Sequence, residues 1–358
     1  MKRGWLAVAL LATVALTGCG GSDGNGGDKP AGGKTIALFL PESKTTRYEA
    51  FDKPLFEAKL KALCADCKLL YFNADQDAAK QQSQVESALT QGANVLVLDA
   101  VDAAAVAPLV NQAKQKKVPV IAYDRLISGI DYEYYVSFNN VRVGEMQGQA
   151  LLDALNAKGT TSKGQIVAIH GAPTDPSSAD YKSGAHKVLD GKVQFGREYD
   201  TPDWSPDKAQ EQMEQAITAI GRDKIVGVLS ANDGMAGGAI AAMKRAGFNP
   251  LPPITGQDAE LAAVQRILAG EQYMTIYLDI RAEAEKAAEL AVALSKGEKP
   301  SAPTTVDNKT AKIPSFLLDP IPVTADKVKG TIIKDGFYKA SEVCVNEFKA
   351  ACEKYGIS

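Results

Sequence analysis

Histidine is nearly missing from this chain: there are two in 358 residues. Neither a zinc site nor a Ser-His-Asp set is expected from so few imidazoles. A phosphate-cradling loop is also lacking. The segment Gly234–Gly238 reads Gly-Met-Ala-Gly-Gly, which is not Gly-x-Gly-x-x-Gly, and it follows Asn-Asp rather than opening a phosphate turn. No cofactor is therefore expected. A net charge of −3 gives no electrostatic case for nucleic acid or an acidic membrane surface. There is no basic helix-turn-helix head. Aromatic residues make up only 7%, so each one near a strand end carries weight. What remains is ordinary globular composition, 45% hydrophobic and 23% charged. The length suggests two domains.

The N-terminus speaks to compartment. Lys2 and Arg3 precede an apolar run, Trp5–Leu16, that is too short to span a bilayer and suits a secretory signal. Residues 1–18 are therefore expected to be a signal peptide. The stretch Leu16-Thr17-Gly18-Cys19 resembles the bacterial lipoprotein box. That resemblance implies cleavage before Cys19 and a lipid anchor on its sulfur. Residues 19–33, rich in Gly, Ser and Asp, read as a flexible tether. The folded part is expected at the outer face of the cytoplasmic membrane, on the cell surface or in the periplasm.

Export makes disulfides plausible for the other four cysteines, Cys64, Cys67, Cys344 and Cys352. Three connectivities are open. An unbroken helix would separate Cys344 from Cys352 by about 12 Å of rise, beyond the reach of a disulfide. Two local bridges are favoured, with a bend between Cys344 and Cys352.

Strand and helix patterns alternate from Thr35 onward, as in a doubly wound parallel sheet. Val118–Ala122 is a continuous apolar run that stops at Asp124-Arg125. The alternation restarts after Phe138-Asn139-Asn140, giving a second α/β unit. Ligands of open α/β sheets sit beyond the carboxyl ends of the strands. The residues there are Arg47, Tyr48, Asp124, Arg125, Asn139, Asp175, Trp204, Asn232 and Asp258. Asn232 is equally suited to capping the helix that follows. Paired donors and acceptors with flat aromatic faces suit a sugar, whose hydroxyls both donate and accept and whose C–H face lies well on a ring.

The chain resembles the type I periplasmic sugar-binding proteins of ABC importers, most closely the D-xylose-binding branch. The matching stretches are Ala122–Ile127, Tyr135–Glu145, Ala231–Gly238, Gly256–Glu260, Met274–Tyr277 and Ile332–Phe337. The resemblance implies an α/β fold of two doubly wound lobes joined by a three-strand hinge. One lobe would hold residues 34–138 plus about 279–312, the other 139–278 plus about 313–358. It implies ligand contacts at Arg47, Tyr48, Asp124, Arg125, Trp204, Asn232 and Asp258, with Tyr48 and Trp204 as two faces of an aromatic sandwich. Two departures affect specificity. Leu278 stands where the branch has a sugar-contacting lysine, and Pro176 and Ser177 stand where it has two asparagines; Ser177 is kept among the candidate ligand residues. The implied function is non-catalytic capture of a monosaccharide, a xylose-like pentose or a hexose, by a lipid-anchored monomer that serves the permease subunits of an ABC importer. A sugar-sensing co-receptor of a membrane kinase or chemoreceptor is the alternative. A glycosidase using Asp124 and Asp258 is disfavoured, because Arg125 would hold its neighbour ionised.

Overall fold

A computed structural model of the chain describes residues 33–357. The signal segment, Cys19 and all of the tether but Gly33 lie outside the described residues.

The first half alternates β1 (Thr35–Leu40), α1 (Lys53–Leu63), β2 (Lys68–Asn73), α2 (Ala78–Thr90), β3 (Val95–Leu98), α3 (Ala107–Gln115), β4 (Val120–Tyr123) and β5 (Tyr134–Phe138). Strands β3, β4 and β5 are buried along their whole length. That explains their unbroken apolar sequence, since both faces of a parallel sheet are covered. Pro54 does not kink α1 but stands in its first turn, where its missing N–H is not needed. A π-helical turn, Tyr48–Asp52, leads into it.

The second half contains α4 (Asn140–Ala157), β6 (Gln165–His170), α5 (Pro176–Leu189), β7 (Phe195–Asp200), α6 (Pro206–Ile220), β8 (Ile225–Ser230), α7 (Asp233–Arg245), α8 (Leu261–Ala269) and β9 (Met274–Tyr277). Then follow α9 (Ile280–Ser295), β10 (Thr304–Asp307), β11 (Lys312–Leu318), β12 (Ile321–Thr324), and the short helices α10 (Ala340–Val343) and α11 (Lys349–Lys354).

These elements sort into two bodies. A seven-stranded sheet has the order β10-β11-β5-β4-β3-β1-β2, parallel except for the β10–β11 hairpin. A three-stranded parallel sheet, β7-β6-β8, is extended by a bridge from Val228 to Ile254. Strands β9 and β12 form an antiparallel ribbon. Both sheets repeat the 2-1-3 winding, which opens a crevice at the carboxyl ends where the order reverses. Helix α9 follows β9 in sequence but packs with α1 and the first sheet. One expected boundary moves. Lys312–Leu318 pairs in parallel with β5 and completes the first sheet, so the chain leaves that lobe after Leu318 and not after residue 312. Pro314 lies within that strand, and its lack of an N–H shortens the strand legible in the sequence to Phe316–Leu318.

Both cysteine pairs form local disulfides, Cys64–Cys67 and Cys344–Cys352, with Cα atoms 5.2 and 5.8 Å apart. The second is possible because helix α10 ends at Val343 and α11 starts only at Lys349.

Helices α4 and α5 approach until a Cβ on Gly144 would lie 1.9 Å from the Tyr181 carbonyl oxygen, and one on Gly184 2.0 Å from that of Val141. Only glycine permits this contact. Replacing Gly184 with Ala should force the helices apart and lower stability by about 1–3 kcal/mol, read as a shift in the urea unfolding midpoint. An unshifted midpoint would show that the helices relax freely.

Candidate ligand-binding site

The carboxyl end of β1 runs into the loop that carries Arg47. The Arg47 side chain is buried and fully engaged. Nε and Nη2 donate to the two oxygens of Asp52 at 3.0 and 2.8 Å, Nη1 to Asp124 Oδ1 at 3.2 Å, and Nη2 to Glu283 Oε2 at 2.6 Å. Its neighbour Tyr48 donates its hydroxyl to Asp124 Oδ2 at 3.0 Å. Asp124 follows β4 in a left-handed conformation, φ 58°. It is held there by its own backbone carbonyl, which accepts from Ser137 Oγ at 2.7 Å and Tyr135 Oη at 3.1 Å. Arg125 donates Nη1 to the Ala100 carbonyl at 3.1 Å and Nη2 to the Tyr48 hydroxyl at 3.4 Å. Burial opposes the charge on both guanidiniums, but the three carboxylates around Arg47, and Tyr48 followed by Asp175, Asp99 and Asp124 around Arg125, raise their proton affinity well above its usual range.

The second lobe supplies the facing wall. Asp175 caps α5 by accepting from Ser177 N at 2.9 Å. Trp204 sits in a tight turn in which both it and Asp203 have positive φ, 53° and 58°. Its ring lies so close to Gly171 that a Cβ there would meet ring carbons at 2.0–2.4 Å, and Tyr181 packs edge-on against it with centroids 6.2 Å apart. Asn232 caps α7 through Oδ1, which accepts from Met235 N at 3.0 Å. Asp258, φ 93°, sits beside Gln257. Gln257 Nε2 lies 3.3 Å from both Asp258 Oδ1 and the Tyr181 hydroxyl.

Between these walls lies a narrow cavity of about 20 Å³, room for about one water molecule as the lobes stand. Arg47, Tyr48, Asp124 and Arg125 line it from the first lobe, and Asp175, Trp204, Asn232 and Asp258 from the second. Asn232 thus lines the cavity and caps a helix at once. Thr45, Tyr181 and Gln257 also line it and were not singled out from the sequence. Tyr181 had a legible signal: Ser177, Ser178, Tyr181, Gly184 and Ala185 form one buried stripe at helical spacing. Two expected residues lie elsewhere. Asn139 is exposed and serves as the N-cap of α4, accepting from Arg142 N at 3.1 Å. Ser177 is buried, but its hydroxyl accepts from Asn140 Nδ2 at 3.1 Å and it is not among the lining residues. Leu278 is buried in the second lobe's hydrophobic core.

Direct contacts cross between the lobes. Arg125 Nε lies 3.1 Å from Asp175 Oδ2, Ala103 N donates to Thr174 O at 3.2 Å, and Thr46 N to Glu260 Oε1 at 3.3 Å. Among the described residues several buried polar atoms have no hydrogen-bond partner, and Trp204 Nε1 and Gln257 Oε1 are two of them. One is a donor and the other an acceptor, both on cavity-lining side chains, and each costs about 1–3 kcal/mol if left unpaired.

This architecture defines a two-lobed α/β binding protein with an interlobe cleft. Residues 36–299 match the periplasmic binding protein domain, and the chain belongs to that family. It is 37% identical over 313 residues to the D-xylose-binding periplasmic protein of Escherichia coli (86% of this chain, 92% of that protein). It is 33% identical to the multiple sugar-binding periplasmic receptor of Rhizobium radiobacter (86% and 92%). Among solved structures it is similar to an ABC transporter solute-binding protein from Clostridium phytofermentans with bound β-D-glucose. The TM-score is 0.79 at 30% identity, covering 87% of this chain and all of that one. A carbohydrate transporter solute-binding protein from Chloroflexus aurantiacus in complex with D-glucose gives 0.77 at 27% identity, covering 86% and 98%. The protein is a binder and not an enzyme.

Burial pushes the Asp258 carboxyl up to about 7, with nearby Glu260 and Asp124 adding to the rise and Arg47 opposing it. The unfolded chain loses this proton near pH 4. Between pH 4 and 7 the folded form therefore holds more protons, and stability falls as pH rises through that window. Burial raises Asp99, Asp175 and Glu283 in the same direction. Asp258→Asn removes one of these contributions. The drop in unfolding free energy between pH 4.5 and 7.5, measured by urea titration without sugar, should be smaller in this variant by a few kcal/mol, on the order of 1.4 per pK unit. Equal drops would mean that Asp258 is already ionised in the folded protein.

Proposed function

We propose that the protein is an extracytoplasmic solute-binding protein that traps one monosaccharide between its lobes and presents it to the permease subunits of an ABC importer. It does so as a monomer anchored through a lipid on Cys19. The observation that carries this reading is the set of side chains the two lobes bring together around one narrow space: two arginines, three aspartates, an asparagine, a glutamine and three aromatic rings. A polyhydroxylated ring needs that mixture. Hydroxyls accept from guanidinium and indole N–H groups and donate to carboxylates, while the C–H faces meet Trp204 and Tyr48. The unpartnered Trp204 Nε1 and Gln257 Oε1 are a donor and an acceptor that sugar hydroxyls would satisfy.

Binding energy then stabilises the closed arrangement. Asp124 and Arg125 grip from one lobe and Asp258 and Asn232 from the other, so only the closed form makes every contact. The names of relatives support a xylose-like pentose or a hexose: one binds D-xylose, another multiple sugars, and two similar structures hold glucose. Leu278 in place of the xylose branch's lysine removes a charged donor, which favours a sugar read differently from xylose.

In a thermal-shift screen of pentoses and hexoses, at least one sugar should raise the melting temperature, because only the folded form binds it. With that sugar in calorimetry, Trp204→Ala and Asp258→Ala should each weaken binding at least a hundredfold while the far-UV circular dichroism stays unchanged. No responding sugar, or parental affinity in both variants, would overturn the reading.

A further inference from the structure

The chain's two histidines, sixteen residues apart in sequence, converge on one carboxylate. His170, the last residue of β6, places Nε2 3.1 Å from Glu198 Oε2 on β7. His186, on α5, places Nε2 2.9 Å from the same oxygen. The three potential ligand atoms lie within 4.8 Å of one another. We propose that His170, His186 and Glu198 form a binding site for a divalent cation of the zinc class, separate from the sugar cleft.

The geometry is close to what such an ion needs. Bonds of 2.0–2.1 Å in a tetrahedron place neighbouring ligand atoms roughly 3.3 Å apart. The imidazole–carboxylate spacings of 3.1 and 2.9 Å reach that value with shifts of a few tenths of an ångström. His186 is also oriented as metal-bound imidazoles are. Its other nitrogen, Nδ1, lies 2.7 Å from Asp190 Oδ1, and a carboxylate behind a ligating histidine fixes its tautomer and aims the far nitrogen. The ring is further held by stacking on Phe195, centroids 4.7 Å apart and planes 19° from parallel. Local charge favours a cation. Glu198, Asp190 and Asp200 lie near the pair, and Lys182, whose charge opposes them at His170, is engaged by Asp200 at 3.3 Å. His170 is buried, whereas His186 and Glu198 are about one-quarter to one-third exposed, so the ion has a route in from solvent. Two histidines and one carboxylate with an open position make a recurrent zinc set.

The site would tie together three elements that reach the cleft. Residue 171, next to His170, is the glycine against which the Trp204 ring lies. Helix α5 carries Asp175 at its N-cap and Tyr181 in its second turn. The cation would thus brace the wall that presents these side chains without touching the sugar.

The scarcity of histidine makes the test clean, because an imidazole-dependent signal in a tag-free protein can come only from this pair. Zinc chloride is titrated into chelator-treated, tag-free protein by calorimetry, and cobalt(II) is added to a second sample to record its visible spectrum. One zinc per chain at micromolar or tighter Kd is expected, with a cobalt spectrum typical of four-coordination. His186→Gln and Glu198→Gln should each weaken zinc binding at least tenfold and leave sugar affinity within twofold. Absence of saturable zinc binding in the parent would overturn the proposal, as would parental zinc affinity in both variants. Either would leave a carboxylate merely hydrogen-bonded by two imidazoles. Failure here would not touch the sugar reading, which the thermal-shift screen tests by itself.

Discussion

The Arg47 guanidinium is the constraint on which the cleft depends. It gathers Asp52, Asp124 and Glu283, from segments up to 236 residues apart, around one buried charge. Asp52 ends the turn into α1, Asp124 follows β4, and Glu283 lies on α9, which returns from the other lobe. With all four groups ionised the cluster would carry a net −2, and burial accordingly holds the Glu283 carboxyl well above its ordinary range. Breaking a buried ion pair by removing one partner costs about 3–5 kcal/mol, because the other charge is left uncompensated. The cluster also orients Asp124, whose second oxygen is then free to receive the Tyr48 hydroxyl. The first lobe's share of the cavity follows from that one arrangement.

The second lobe achieves the same end by backbone rather than by charge. Trp204 and Asp258 both occupy left-handed conformations, as Asp124 does opposite them. Such conformations cost of order 1–3 kcal/mol each and persist only where the surroundings enforce them. Enforcement is visible around Trp204, between Gly171 and Tyr181, and near Asp258, whose backbone N–H donates to Ile276 O at 2.9 Å.

Much of this was legible in the sequence. Apolar runs ending in polar pairs located β4 and β8, and the strand-end rule brought eight of the cavity's residues onto one short list. The misses have physical causes. Asn139 sits at a strand end, but its side chain caps α4, and a strand-end position cannot say which way an Asx residue turns. Ser177 lies on the same helix face as Tyr181 but near the start of α5, where its hydroxyl is taken up by Asn140. Gln257 stands beside Asp258 in Gly-Gln-Asp, where the acid drew the attention that the amide also merited. Strands β10 and β12 went unread because one is polar and mostly exposed and the other holds Pro322. Edge pairing, not an apolar pattern, makes them strands.

The positive-φ residues have a consequence for how this cleft can diversify. Aspartate tolerates the left-handed region better than most side chains, whereas a bulky ring there is an outlier. Exchanges at Asp124, Trp204 and Asp258 must therefore suit the local chain path before they suit any guest molecule, and most β-branched or large replacements would not. The other lining residues, Thr45, Tyr181 and Gln257 among them, carry no such restriction on their backbone. Evolutionary or engineered drift towards a new guest is thus channelled through the unrestricted positions, while the three constrained ones act as a fixed frame.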